Sequence, residues 1–129
     1  MSAPAPTTPP TRQEQAEAIL GLRAWQLASR TLGRRATNAA DFAEAFNLER
    51  IDLVAAIPDA GTLLGLGRNR VGPADGLYVI DEGPSTFRVY RQEGGESHDE
   101  TVAGFDEARE AAIDLLIQLG GIPYTPPGR

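Results

Sequence analysis

One histidine, His98, is the natural place to look for chemistry in this chain, because it sits among Glu93, Glu96, Asp99 and Glu100. An imidazole beside carboxylates could share a metal ion or act as a general base. No spacing here matches HExxH or a calcium loop, so the plain reading is an exposed residue beside Asp99 and no metal site is expected. The four serines, Ser2, Ser29, Ser85 and Ser97, include none in a G-x-S-x-G elbow. The run Gly65-Leu66-Gly67-Arg68-Asn69-Arg70 lacks the third glycine of a dinucleotide fingerprint and has no phosphate-loop lysine. Arg68 and Arg70 could touch an anion, but a locally basic loop explains them as well. Carboxylate pairs for glycoside chemistry are plentiful and none is singled out. The expectation is a protein that is not an enzyme and that needs no cofactor.

What the acids could do instead is bind. Residues 1–74 carry eight arginines against seven acids, whereas residues 75–129 carry four against eleven. Between Glu93 and Asp114 eight acids face one cation, Arg109. Asp106 and Glu107 fall where a helix N-terminus favours negative charge. Glu93, Glu96, Asp99 and Glu100 have no such reason and cluster on a segment that reads as a connector, where binding residues commonly lie. These four, with Tyr90 and Arg91 beside them, are the expected partner-binding surface. The competing explanation is a solvated acidic face with no partner.

Wider composition narrows the classes. A net charge of −6 and a pI near 4.7 disfavour nucleic acid, whose binding needs clustered cations, and suit a basic protein partner. All twelve basic residues are arginine, which GC-rich coding explains as readily as selection for bidentate contacts. Cysteine is absent, so disulfide scaffolds and thiolate sites are excluded. No window of eighteen apolar residues offers a membrane span, and residues 1–10 do not read as a secretory signal, so a cytoplasmic bacterial protein is expected.

The elements that would position these residues follow from patterning. Residues 1–11 are rich in Pro, Ala and Thr and read as a disordered tail; residues 122–129 read as a second tail. Between them, residues 12–121 read as one α+β domain. Thr11 caps a helix over residues 12–31 that stops at Gly33, with Glu14 in its first turn. Asn38 caps a short helix to Phe46, and residues 48–57 have helical spacing before Pro58. Residues 59–73 read as a turn and an irregular crossing or short strand. Leu77 to Ile80 is a strand, joined by a Gly- and Pro-containing turn to an alternating strand from Thr86 to Arg91. Residues 100–103 suggest a third, edge strand. Phe105, Ala108, Ala112, Leu115, Leu116 and Leu119 form the stripe of a helix ending at Gly120 and Gly121. The fold expected is a small antiparallel sheet of two to four strands packed against a C-terminal helix, behind a helical N-terminal part.

Within residues 76–119, Gly76, Tyr78, Phe87, Tyr90, Phe105 and the Asp106-Glu107-Ala108 run together resemble the C-terminal half of small immunity proteins encoded beside bacterial polymorphic toxins. The likeness covers about a third of the chain, and the strand-strand-helix unit that carries it recurs across unrelated folds. It implies a non-enzymatic antidote that occludes the active site of a cognate toxin, with Tyr78, Phe87 and Tyr90 as anchors where they face outward. The alternatives from other classes are a secretion chaperone or adaptor for an effector, and a small enzyme with an unrecognised site.

Overall fold

In the computed structural model, which describes residues 9–128, six helices and a three-stranded antiparallel sheet form an α+β fold. The tail expected at the N-terminus lies, for residues 1–8, outside the described residues. Helix α1, Arg12–Leu20, opens on a capping box in which the Glu14 N–H donates to Thr11 Oγ1 at 3.0 Å and the Thr11 N–H donates to Glu14 Oε1 at 3.1 Å. The single helix expected over residues 12–31 is instead two. Gly21 closes α1, Leu22 takes a left-handed φ of 58°, and α2 runs Ala24–Leu32 to a left-handed Gly33. A half-exposed leucine in that conformation is a strained corner, and it lets α1 and α2 fold against each other.

Helices α3, Ala39–Ala45, and α4, Arg50–Ala55, appear where their caps and spacing place them. Residues 59–64 do not cross as a strand. The Asp59 side chain accepts from the Thr62 N–H at 2.8 Å and starts a short helix, α5, Ala60–Leu64. Trp25, Phe42, Phe46 and Tyr124 stack edge to face in a chain, with centroids 4.7, 5.2 and 6.3 Å apart. Gln15 is buried and fully used: its oxygen accepts from the Asn47 and Leu48 N–H groups, both at 2.9 Å, and its nitrogen donates to Asn47 Oδ1 and the Pro10 carbonyl. It therefore fixes α1 to the α3–α4 connection without leaving a polar atom unpaired.

The sheet consists of β1, Gly76–Asp81, β2, Phe87–Glu93, and β3, Glu96–Ala103, in sequential order. Gly94 and Gly95, with φ of 60° and 83°, make the two-residue β2–β3 turn, so β3 begins four residues earlier than the expected edge strand. One face of the sheet, carrying Leu77, Val79, Phe87 and Val89, packs on α6, Phe105–Leu119. Helix α6 buries Ala108, Ala112, Ile113, Leu115 and Leu116, its large side chains each stabilising by about 1.5–3 kcal/mol. Beyond α6 the chain does not trail off as expected. The Tyr124 hydroxyl donates to the Leu48 carbonyl at 2.9 Å, and the Arg50 N–H donates to the Pro127 carbonyl at 2.8 Å. This C-terminal segment thus binds back across the helical layer.

The outer edge of β1 is closed by the loop after α5. The Arg68 N–H donates to the Leu77 carbonyl and the Val79 N–H to the Arg68 carbonyl, both at 2.9 Å, while Asn69 Nδ2 reaches the Val79 carbonyl. Gly67 permits this approach, since a Cβ there would lie 2.8 Å from the Leu77 carbonyl oxygen. Gly67→Ala should therefore cost about 1–3 kcal/mol, read as a lowered urea midpoint at unchanged m-value.

A second test concerns acid. Asp41, buried at the start of α3, accepts from the Thr37 N–H at 2.8 Å and pairs with Arg34 at 2.9 Å, which together hold its carboxyl below the ordinary 3.8. A carboxyl depressed in the folded state stabilises above its unfolded value, and that stabilisation is lost as pH falls through the folded one. Asp41→Asn should therefore lose stability at neutral pH, and its deficit against the unaltered protein should shrink once pH drops below about 3.8, as followed by thermal unfolding across a pH series.

Candidate acidic binding face

The hairpin and α6 carry the acids of residues 93–114, and five of them, Asp99, Asp106, Glu107, Glu110 and Asp114, line one groove between β3 and α6. Glu93 and Glu96 face each other across the Gly94-Gly95 turn. Asp99 sits at a break in the β2–β3 register, with φ of 54°, so β3 bulges opposite Tyr90. Asp99 and Thr101 then form one wall of an open groove of about 750 Å³, and the outer face of α6, with Asp106, Glu107, Glu110 and Asp114, forms the other. The acids expected on a connector are on strands, Glu93 at the end of β2 and Glu96, Asp99 and Glu100 in β3. Charged residues such as these suit an edge strand, where they discourage unwanted pairing, and that is why the stretch does not read as strand.

Arginines hold part of this charge in place. Arg91 pairs with Glu93 at 2.5 Å and lies 3.8 Å from Asp99, while Arg88 bridges Glu82 and Glu100, the latter at 3.0 Å. Arg109 lies over the Phe105 ring at 4.9 Å, approaches Asp106 at 3.4 Å and donates to the Ile57 carbonyl. Arg50, on α4, is the buried member. It reaches Glu110 through Nε at 2.7 Å and Asp114 at 2.9 Å, and donates to the Glu110 carbonyl. Glu110 and Asp114 therefore serve the α4–α6 contact, whereas Glu96 and Glu107 are exposed and have no ion-pair partner among the described residues.

Of the six residues expected at the partner surface, Glu93, Glu96, Asp99 and Glu100 are exposed and Arg91 is half-buried; Asp99 lines the groove, whereas Glu100 pairs with Arg88 toward the other face of the sheet. Tyr90 is not part of that surface. It is 3% exposed and stacks on Tyr78 across the β1–β2 ladder, with ring centroids 4.9 Å apart and planes 3° from parallel. The loop over residues 70–75 covers the pair: the Tyr78 hydroxyl lies 2.6 Å from the Ala74 carbonyl, and Gln92 Nε2 donates to the Gly72 and Ala74 carbonyls. Burial pushes the Tyr90 phenol above its usual range. Phe87 and Tyr78 are buried too, so no aromatic of the hairpin is available as an outward anchor. The alternation of Thr86 to Arg91 missed this because a loop, rather than solvent, lies against the second face of the sheet.

His98 is half-buried on β3 opposite Arg91. Among the described residues no three of His, Asp and Glu converge in a way that could hold a metal ion. Arg68 and Arg70, the candidate anion contacts, lie in the loop that closes β1, and Arg68 serves that closure through its backbone. Among the described residues no helix is long and apolar enough to cross a membrane. Comparison of the chain with protein-family models, with curated proteins and with solved structures finds no match in any of the three.

The Arg50 contacts define a test of which groove acids are structural. Arg50→Met leaves two carboxylates that water can reach and should cost about 2 kcal/mol. Glu110→Gln combined with Asp114→Asn strands a buried guanidinium and should cost more, about 3–5 kcal/mol. Chemical denaturation of both variants checks the order.

Proposed function

We propose that this chain is a cytoplasmic immunity protein: a non-enzymatic binder that neutralises a cognate bacterial toxin domain by covering its active site with an acidic face. The observation that carries the reading is the β3–α6 face, where exposed carboxylates line an open groove beside a strand edge that pairs with nothing among the described residues. A surface of this sign complements the basic substrate groove of a nuclease-like or NAD-consuming toxin, speeds encounter and selects against acidic partners. The partner is a protein with a basic surface, and the sequence resemblance described above adds to the same reading. The contacts come from charge, shape and backbone rather than aromatic anchors, because Tyr78, Phe87 and Tyr90 are inside.

The open edge of β3 also favours a second reading, an adaptor that holds an extended segment of an effector. The two differ in what they bind: a folded catalytic domain, or an unfolded segment. Expression of the product of the neighbouring upstream gene separates them. Under the immunity reading that product arrests growth alone and is silent when co-expressed with this chain; a harmless product rejects it.

The face itself is tested by the triple variant Glu96→Lys, Asp99→Asn, Glu100→Gln. Its exposed ion pairs are worth little, so stability should stay within about 1 kcal/mol, while affinity for the partner falls at least about tenfold through slower association. Association of the unaltered protein should also slow as salt is raised. An unchanged dissociation constant in the variant would remove the acidic face from the mechanism.

A further inference from the structure

The two edges of the sheet are treated differently. On β1, Leu77 and Val79 turn their outward carbonyl and N–H to Arg68, and Gly67 is shaped to allow it. On β3 no backbone group has a partner other than β2 among the described residues. The ladder pattern says which groups are left. Because Val79 bonds outward, its cross-strand neighbour Val89 bonds toward β3 and pairs with Thr101. The alternation then turns both backbone groups of Val102 away from the sheet, and those of Ser97 likewise on the far side of the bulge. Val102 is also one of the few large apolar side chains left exposed, at 49%.

Alongside this edge runs the groove bounded by Asp99 and Thr101 on one side and Asp106, Glu107 and Glu110 on the other. An extended chain laid against β3 would point alternate side chains into it and the others toward Glu100. A second copy of this chain is a poor occupant. Two copies joined edge to edge through β3 would bring two acidic β3–α6 grooves together, and the bulge at Asp99 interrupts a long flat pairing. A basic strand meets neither the repulsion nor the need for length, since Glu100–Ala103 alone offers a short run beyond the bulge.

We propose that the outer edge of β3 receives an extended, basic segment of a partner protein as a fourth strand, its backbone pairing with Val102 and its cationic side chains entering the β3–α6 groove. This rests on the acidic-face reading above and specifies how the partner is held: by main-chain hydrogen bonds for affinity and by charge for selection.

The test uses the full chain and two synthetic peptides of roughly ten residues, about one strand in length. One alternates Lys and Thr; the other has the same charge but prolines in place of two threonines, so that it cannot form a ladder. Fluorescence anisotropy should show the alternating peptide binding about tenfold tighter than the proline-interrupted one, the difference made by one or two net backbone hydrogen bonds. Val102→Pro removes the outward N–H without removing a β2–β3 bond and should bring the alternating peptide down to the level of the interrupted one, whereas Val102→Ala should not. If both peptides bind equally, the acidic face is real and strand addition is wrong. If neither binds, the acidic face fails with it. Dimerisation of the chain that Val102→Pro abolishes would assign the edge to a second copy and overturn the proposal. The peptide comparison stands even where Val102→Pro fails to fold.

Discussion

One helix has to serve two layers. A three-stranded sheet buries too little on one face to stand alone, and five short helices cannot close a core without a long neighbour. Helix α6 touches all three strands and also α1, α4 and α5. Its small residues, Ala108 and Ala112, and its branched ones, Ile113, Leu115 and Leu116, are spread widely enough around the helix to face both partners. Everything else is arranged around keeping that helix in place. Arg50 holds its middle from α4, and Trp25 donates to the Gly120 carbonyl at 2.8 Å, satisfying a group that the helix end would otherwise leave open.

That arrangement decides where the charge can go. With one side of α6 committed to the sheet and another to the helices, its remaining side is exposed and carries Asp106 and Glu107, next to the strand edge that the hairpin leaves bare. The arginines are distributed unevenly across this face. Arg50 and Arg109 anchor α6, Arg88 and Arg91 tie the hairpin to its own acids, and the outermost carboxylates are left to solvent. Exposed acids thus lie at the hairpin tip, as Glu93 and Glu96, and in the first turn of the last helix, as Asp106 and Glu107. The helical layer carries Arg23, Arg30 and Arg35, which have no ion-pair partner among the described residues.

Much of the fold can be read directly from residues: Thr11 and Asn38 as caps, Gly33 and Gly120 as stops, Leu77 to Ile80 as a buried strand, and the apolar stripe of the last helix. What escaped has physical reasons. The break at Gly21 and Leu22 is a leucine held left-handed, where propensity predicts continuation. The helix after Asp59 is one turn long, too short for any period to show, although Asp59 and Thr62 carry the capping signal. The third strand is charged along its length because it is an edge, so hydrophobic alternation has nothing to record. The Gly94-Gly95 pair was the clue that it begins at Glu96. Of the candidate site, the acids were legible as an excess of charge. The burial of Tyr90 was not, since it depends on a loop whose carbonyls are claimed by Tyr78 and Gln92.

The aromatic residues divide between the two layers, and that has an optical consequence. Trp25, the single tryptophan, belongs wholly to the helical layer, wedged against Phe42 and hydrogen-bonded to the end of α6. The parallel Tyr78–Tyr90 pair belongs wholly to the sheet. Tryptophan emission therefore reports only on the helices, and tyrosine near-ultraviolet dichroism is weighted toward the strands. The chain carries two built-in reporters whose melting curves, overlaid, would reveal whether both layers dissolve together or the sheet loosens first.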